Sequence, residues 1–179
     1  MASNWAGRRA RLWMRGCGRP GPGYATLNDA PMVSICVANY NGAEILADCL
    51  DSIRCQHNTP PYEIIVHDDA STDGSIELLG KYPEVRLIAS AENVGFCIAN
   101  NRMAAMARGR FLLLLNNDAA LMNDALQTLA AMAQAERPGS ILSLPQYEFD
   151  SGELLDRGML LDPFYNPVPN LDPSREQVA

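Results

Sequence analysis

Residues 32–42 read MVSICVANYNG, a β-branched, apolar run from Met32 to Ala38 that ends in the polar cluster Asn39-Tyr40-Asn41. A run of that length and composition is a strand. Behind it Asn41 is expected to head a helix, with Glu44 three residues on as its capping partner. Ile45, Leu46, Cys49, Leu50 and Ile53 follow at helical spacing, and Pro60-Pro61 stops the segment. The unit then repeats. Glu63–Val66 predicts a second strand, and Ser75–Leu79 opens a short helix that Tyr82-Pro83 stops. Val85–Ala89 predicts a third strand, and Gly95–Arg108 a helix with Phe96, Ala99, Met103 and Met106 on one side. Arg110–Leu115 predicts a fourth strand. Asn123 caps an Ala-rich helix running to Arg137, which Pro138-Gly139 terminates. Ile141–Leu144 predicts a fifth, short strand. Strands alternating with helices at this rhythm give an α/β fold, a mostly parallel sheet with helices on both faces and strands buried on both sides.

Outside this rhythm the chain changes character. Residues 1–30 carry Gly, Pro and five Arg (Arg8, Arg9, Arg11, Arg15, Arg19) without periodicity, and read as a disordered extension. Residues 31–144 form the α/β domain. Residues 145–179 hold five of the 12 Pro, with a hairpin turn expected at Asp150-Ser151-Gly152. This last part reads as the start of an incomplete second region.

All 21 acidic residues lie beyond residue 23, against nine basic ones there, so the body of the chain is acidic. That argues against nucleic acid as a partner, which needs a basic face. No apolar run approaches the roughly 20 residues of a membrane span, and the Arg cluster leads into no hydrophobic segment of secretory type. Five Cys without a CxxC pair are expected as free, mostly buried thiols in a reducing compartment. With two isolated His, they exclude a zinc site of ordinary spacing.

The polar residues gather where the strands end. Asn39-Tyr40-Asn41 follows the first strand, Asp68-Asp69 the second, Glu92-Asn93 with Gly95 the third, and Asn116-Asn117-Asp118 the fourth. In an open parallel sheet those carboxyl ends share one edge, the edge at which ligands bind. A carboxylate at Asp68 or Asp69 can accept the N3–H of a uracil or thymine ring. Tyr40 offers a face for stacking. Asn39, Asn93 and Asn101 suit ribose hydroxyls or phosphate oxygens. Neither a GxGxxG fingerprint nor a P-loop occurs. A diphosphate at so acidic an edge needs a cation, Mg or Mn, for which Asp118 is the candidate ligand. Acids at strand ends are also the pattern of a receiver-like signalling domain. That fold needs a Lys at a late strand end, and the only Lys here, Lys81, ends a helix. A non-catalytic nucleotide-binding or interaction module is the other alternative.

Four segments together, VSICVANYNG (33–42), VHDDASTDGS (66–75), ENVGF through Asn101, and LNND (115–118), resemble the family 2 glycosyltransferases of GT-A fold, in order over residues 32–144. The resemblance implies a Rossmann-like sheet and a transferase that moves a sugar from a dTDP- or UDP-sugar donor, with inversion. A saccharide or lipid-linked acceptor, cell-surface polysaccharide as product, and a cytoplasmic site at or near the inner face of the membrane are implied with it. By the same resemblance Asn39, Tyr40 and Asn41 line base and ribose, and Asp68 or Asp69 reads the pyrimidine. Asn93, Gly95 and Asn101 approach ribose and phosphate. Asn116-Asn117-Asp118 stands where the family carries Asp-x-Asp, with Asp118 as the metal-binding carboxylate and Asn116 in place of the first. The family's general base belongs to a later helix, for which residues 145–179 offer no candidate; this chain is expected to bind donor and transfer little.

Overall fold

A computed structural model describes residues 30–122, 124–156, 159–161 and 167–169. The Arg-rich head and Asn123, the expected helix cap, lie outside the described residues. The chain divides into two compact units, one up to Ala130 and one from Ala131.

The first unit is built on four parallel strands: β1 (Val33–Asn39), β2 (Tyr62–Asp68), β3 (Val85–Ala89) and β4 (Phe111–Asn116). Their order across the sheet is β3-β2-β1-β4. The helices between them are α1 (Leu46–Arg54), α2 (Ser75–Leu79) and α3 (Phe96–Met106), and α4 (Ala125–Ala135) follows β4. The chain steps from β1 outward through β2 to β3, then crosses back to place β4 on β1's other side. The strand order therefore reverses between β1 and β4, and their carboxyl ends open the crevice where such sheets take ligands.

The core forms on both faces of the central strands. Met103 of α3 packs on Cys36 and Ile65, with Ala38, Ile88 and Ala107 around them. The opposite face, carrying Ile35, Val37, Ile64 and Val66, is buried as completely, and α1 turns Leu46, Cys49, Leu50 and Ile53 inward.

At the amino end of the sheet, Ser34 and Glu63 are register partners on the Cys36 face, and Glu63 is fully buried. Four donors meet its carboxylate. Ser34 Oγ and the Arg108 amide donate to Oε1, each at 2.7 Å. Arg86 Nη1 donates to Oε2 at 2.7 Å and Arg108 Nε at 3.0 Å. The Gly109 amide donates to Ser34 Oγ, and a Cβ at Gly109 would stand 2.5 Å from the Ser34 backbone nitrogen. Only glycine allows this approach of the β4 lead-in to β1.

Several expectations need correction. Asn41 does not head the first helix: it takes a left-handed backbone (φ 50°), and α1 opens at Leu46 with Ile45 as its cap. The outer strands are not buried on both sides. The exposure of β3 and β4 varies from residue to residue, and Leu112 and Leu114 are 50 and 54% exposed, on the face where α3 covers β1 and β2. On α3 only Ala99, Asn100 and Met103 are buried, while Phe96 and Met106 face outward. Residues 141–144 form no strand, and Ile141 is among the most exposed residues. Cys36 and Cys49 are free and buried, as expected, but Cys97 is exposed and Cys55 is disulfide-bonded.

In the second unit β5 (Gln146–Tyr147) pairs antiparallel with β6 (Leu154–Asp156) across the expected turn. The strands β7 (Met159–Leu161) and β8 (Pro167–Pro169) form another antiparallel pair. Among the described residues no helix is long and apolar enough to cross a membrane.

Candidate donor site

Three strand ends are tied by one hydrogen-bond chain. Asn117 Nδ2, just after β4, donates to Asn39 Oδ1 at the end of β1 at 2.9 Å. Asn39 Nδ2 donates to Asp68 Oδ2 at the end of β2 at 2.8 Å. The Ser71 amide and hydroxyl close the chain on Asp68 at 2.9 and 2.7 Å. Gly42 lies against the Asn117–Asn39 bond, and a Cβ there would collide with both side chains. The reversal point between β1 and β4 is thus spanned by side-chain amides packed onto bare backbone.

Neighbouring loops are stapled in the same way. The Asn41 amide donates to Ser71 Oγ, the Thr72 amide to Asn41 Oδ1, and the Ala43 amide to Asp73 Oδ2. The left-handed backbone of Asn41 serves these bonds; short polar side chains tolerate it best. Asp73 also accepts from the amide and hydroxyl of Ser75 at the start of α2. These bonds, led by the Ser75 hydroxyl, hold the Asp73 carboxyl below the usual range.

Asp69 clamps the third loop. Its two oxygens accept the amides of Val94 and Gly95, each at 2.8 Å, directly before α3. Gly95 has φ 83°, a conformation suited to glycine, so the clamp and the glycine together aim the loop. Next to it His67 is wholly buried, with Arg102 Nη1 3.4 Å from its Nε2 and its Nδ1 without a partner among the described residues. Burial lowers its pKa and the Arg102 charge adds to this, against the pull of Asp69 and Asp68, so His67 is neutral at pH 7.

Asn39, Asp68 and Asn117 are therefore brought together, but as scaffold: Asn39 and Asp68 are each 1% exposed. Their side chains serve the protein first. Tyr40, Asn41, Asn93, Asn101, Asn116 and Asp118 are exposed, with Tyr40 half uncovered beside the crevice and Asn101 well along α3. Ser71, Thr72, Asp73 and Gly42 carry the site's geometry and were not singled out from sequence. Their signal was the clustering of small polar residues after a strand, which ordinary turns share.

Ala70 sits between Asp69 and Ser71 with φ 64°, where a Cβ costs about 1–2 kcal/mol. Glycine removes that cost but loses more chain entropy. Ala70→Gly is expected to stabilise the chain by about 0.5–1 kcal/mol. A urea midpoint that stays or falls would contradict this.

For a divalent cation the residues fit in part. No group of three or more His, Cys, Asp or Glu is gathered for a metal among the described residues. Asp118 supplies one hard, exposed oxygen at the crevice, and diphosphate oxygens and water suit the remaining positions. Beneath it Cys49 Sγ reaches the Asn116 carbonyl at 3.5 Å; burial, with the Asp118 charge, raises its pKa to about 12, so it offers no thiolate.

The comparisons agree with this architecture. The Rhizobium meliloti succinoglycan biosynthesis protein ExoO is 32% identical over 61% of this chain and 32% of its own length. The poly(ribitol-phosphate) beta-glucosyltransferase of Bacillus spizizenii is 35% identical over 52% of the chain and 16% of its own. A mannosyltransferase from Pyrobaculum calidifontis, solved with GDP-Man and Mn2+, is 26% identical with a TM-score of 0.56, over 77% of this chain and 41% of that one. The chain spans less than half the length of these relatives. The family model for glycosyl transferase family 2 matches residues 34–173, most of the chain, and with the strand-end site it covers, the chain belongs to that family.

Proposed function

We propose that this chain binds the nucleotide-diphosphate sugar donor, a UDP- or dTDP-sugar, of a transferase in cell-surface polysaccharide synthesis. The acceptor is a saccharide or a lipid-linked saccharide. Its hydroxyl attacks the anomeric carbon with inversion as the diphosphate leaves. The observation that carries the proposal is the crevice at the β1/β4 reversal point, with polar groups from all four strand ends around it. Membership of the family and the GDP-Man complex of the Pyrobaculum calidifontis mannosyltransferase support a nucleotide-sugar donor, and the choice of a pyrimidine rests on Asp69.

The exposed residues take the outer roles, and Asp69, only 5% exposed, an inner one. Tyr40 stacks on the base, and Asn41, Asn93 and Asn101 are placed toward ribose and phosphate. Asp69 reads the pyrimidine N3–H: each of its two oxygens takes one amide and keeps a lone pair, whereas in Asp68 only Oδ1 does and Oδ2 takes two donors. Asp118 holds Mg or Mn with the diphosphate, and Asn116 and Asn117 shape its loop. The cation, when bound, offsets the charge gathering on the leaving diphosphate.

Titration calorimetry with UDP, dTDP, GDP and ADP, with and without Mn2+, tests the reading. UDP or dTDP should bind tightest, and Mn2+ should strengthen that binding. Asp118→Asn should remove the Mn2+ gain and leave metal-free binding unchanged. Equal or tighter binding of GDP would overturn the pyrimidine assignment, and an undiminished Mn2+ gain in Asp118→Asn would overturn the ligand assignment.

A further inference from the structure

Two buried polar side chains, one on α1 and one just past it, hold the segment that follows Asp118. Ser52 is 4% and Gln56, just past the helix, 1% exposed. The Leu121 amide donates to Ser52 Oγ at 3.0 Å, and Ser52 Oγ donates to the Cys49 carbonyl at 2.6 Å. Gln56 Nε2 donates to the carbonyls of Met122 at 2.7 Å and Leu121 at 3.2 Å, and to that of Ser52. Gln56 Oε1 accepts the Leu126 amide at 3.0 Å. On its other side the loop is held at Asn116 by Cys49 Sγ and at Asn117 by Asn39. Only Asp118, Ala119 and Ala120 lie between the two anchors, with the Ala119 amide turned back onto the Asn116 carbonyl.

Resting on the donor-site reading above, we infer that Gln56, with Ser52, is a positioning residue that fixes where Asp118 presents its carboxylate to the cation. A buried amide bonded to two carbonyls of one loop and to an amide of the helix that follows it leaves that loop few alternative paths. With a single carboxylate at this site and none at Asn116, the direction of Asp118 sets the cation affinity. Groups hydrogen-bonded to a metal ligand are typically worth about 10–100-fold in metal affinity, and Gln56, acting through the backbone of Leu121 and Met122, is expected at the lower end of that range.

The experiment compares Gln56→Met, Gln56→Glu and the milder Ser52→Ala with the unaltered chain in two readouts. Hydrogen exchange without ligand should rise in residues 117–122 and stay unchanged in β2. Titration with UDP should show metal-free affinity within about twofold of the unaltered chain and the Mn2+ gain reduced about 10-fold or more. Gln56→Glu keeps the acceptor for Leu126 and loses the donors to Leu121 and Met122, so it should lose the gain as Gln56→Met does. A purely structural role predicts the opposite pattern, lowered stability with the Mn2+ gain intact, and would overturn the inference. Unchanged exchange in residues 117–122 would overturn it as well. If the unaltered chain shows no Mn2+ gain, the cation reading fails, and the exchange result alone decides whether Gln56 positions this loop.

Discussion

Replacing Glu63 by Ala will cost the fold about 3–5 kcal/mol, the usual loss when one partner of a buried ion cluster is removed. The change removes the carboxylate that Arg86 and Arg108 share and the acceptor for Ser34 Oγ and the Arg108 amide. Acid should do part of the same work. Burial alone would raise the Glu63 pKa, but the bonds from Ser34, the Arg108 amide, Arg86 and the Arg108 side chain outweigh it and hold it at about 2. A carboxyl whose folded value lies below its unfolded value of about 4.5 stabilises fully above that value. The contribution, about 3 kcal/mol, drains away as pH falls from 4.5 toward 2. Urea denaturation from about pH 7 to pH 3 should show somewhat more than half of this loss in the unaltered chain, and Glu63→Gln should be weaker at neutral pH with a flatter acid limb. An acid limb unchanged in Glu63→Gln would place the acid-sensitive group elsewhere.

Asp69→Asn is expected to weaken UDP binding by roughly 100-fold and to destabilise the chain by about 2–3 kcal/mol, since bonds to a charged group are worth about 1.5–3 kcal/mol each. An asparagine keeps one acceptor and turns an NH2 toward the second amide of the Val94–Gly95 pair. The loop before α3 is then released from one side while the proposed reader of the base is lost. Denaturation and UDP titration on the same preparation separate the two effects. Loss of stability with undiminished UDP affinity would confine Asp69 to the clamp and take base reading away from it.

The alternation of strands and helices was legible because each strand run is bounded by Pro, Gly or a polar cluster. Val85–Ala89 matches the sequence reading to the residue, and the helix after β2 opens at Ser75 as read. The helix start at Asn41 was misread because Asn-x-x-Glu has two physical meanings. Asn41 caps nothing and instead accepts the Thr72 amide from 31 residues away, a partner that local spacing cannot reveal. Residues 141–144 have the apolar content of a strand but no described strand to pair with, and pairing is a property of the whole sheet. The exposure of Leu112 and Leu114 was hidden for a related reason: strand composition does not say how far a helix reaches across the sheet. At the site, sequence located the edge and the residue types. It could not separate scaffold from contact, since Asn39 and Asn93 are the same amide and only the neighbours that reach them differ. Gln56 was invisible because nothing about a polar residue at the end of an amphipathic helix says that it faces inward.

The stapling of the first two loops bears on how fast and how tightly any nucleotide can dock. The Asn41–Ser71, Thr72–Asn41 and Ala43–Asp73 bonds fix both backbones before a ligand arrives. A preorganised wall has little conformational freedom left to surrender, so contact energy passes into affinity with small loss. The competent state of these loops is then the dominant one. Cutting one staple, as in Ser71→Ala, lowers the competent fraction, and the apparent dissociation constant rises in inverse proportion to it even though every atom that touches the ligand is unchanged.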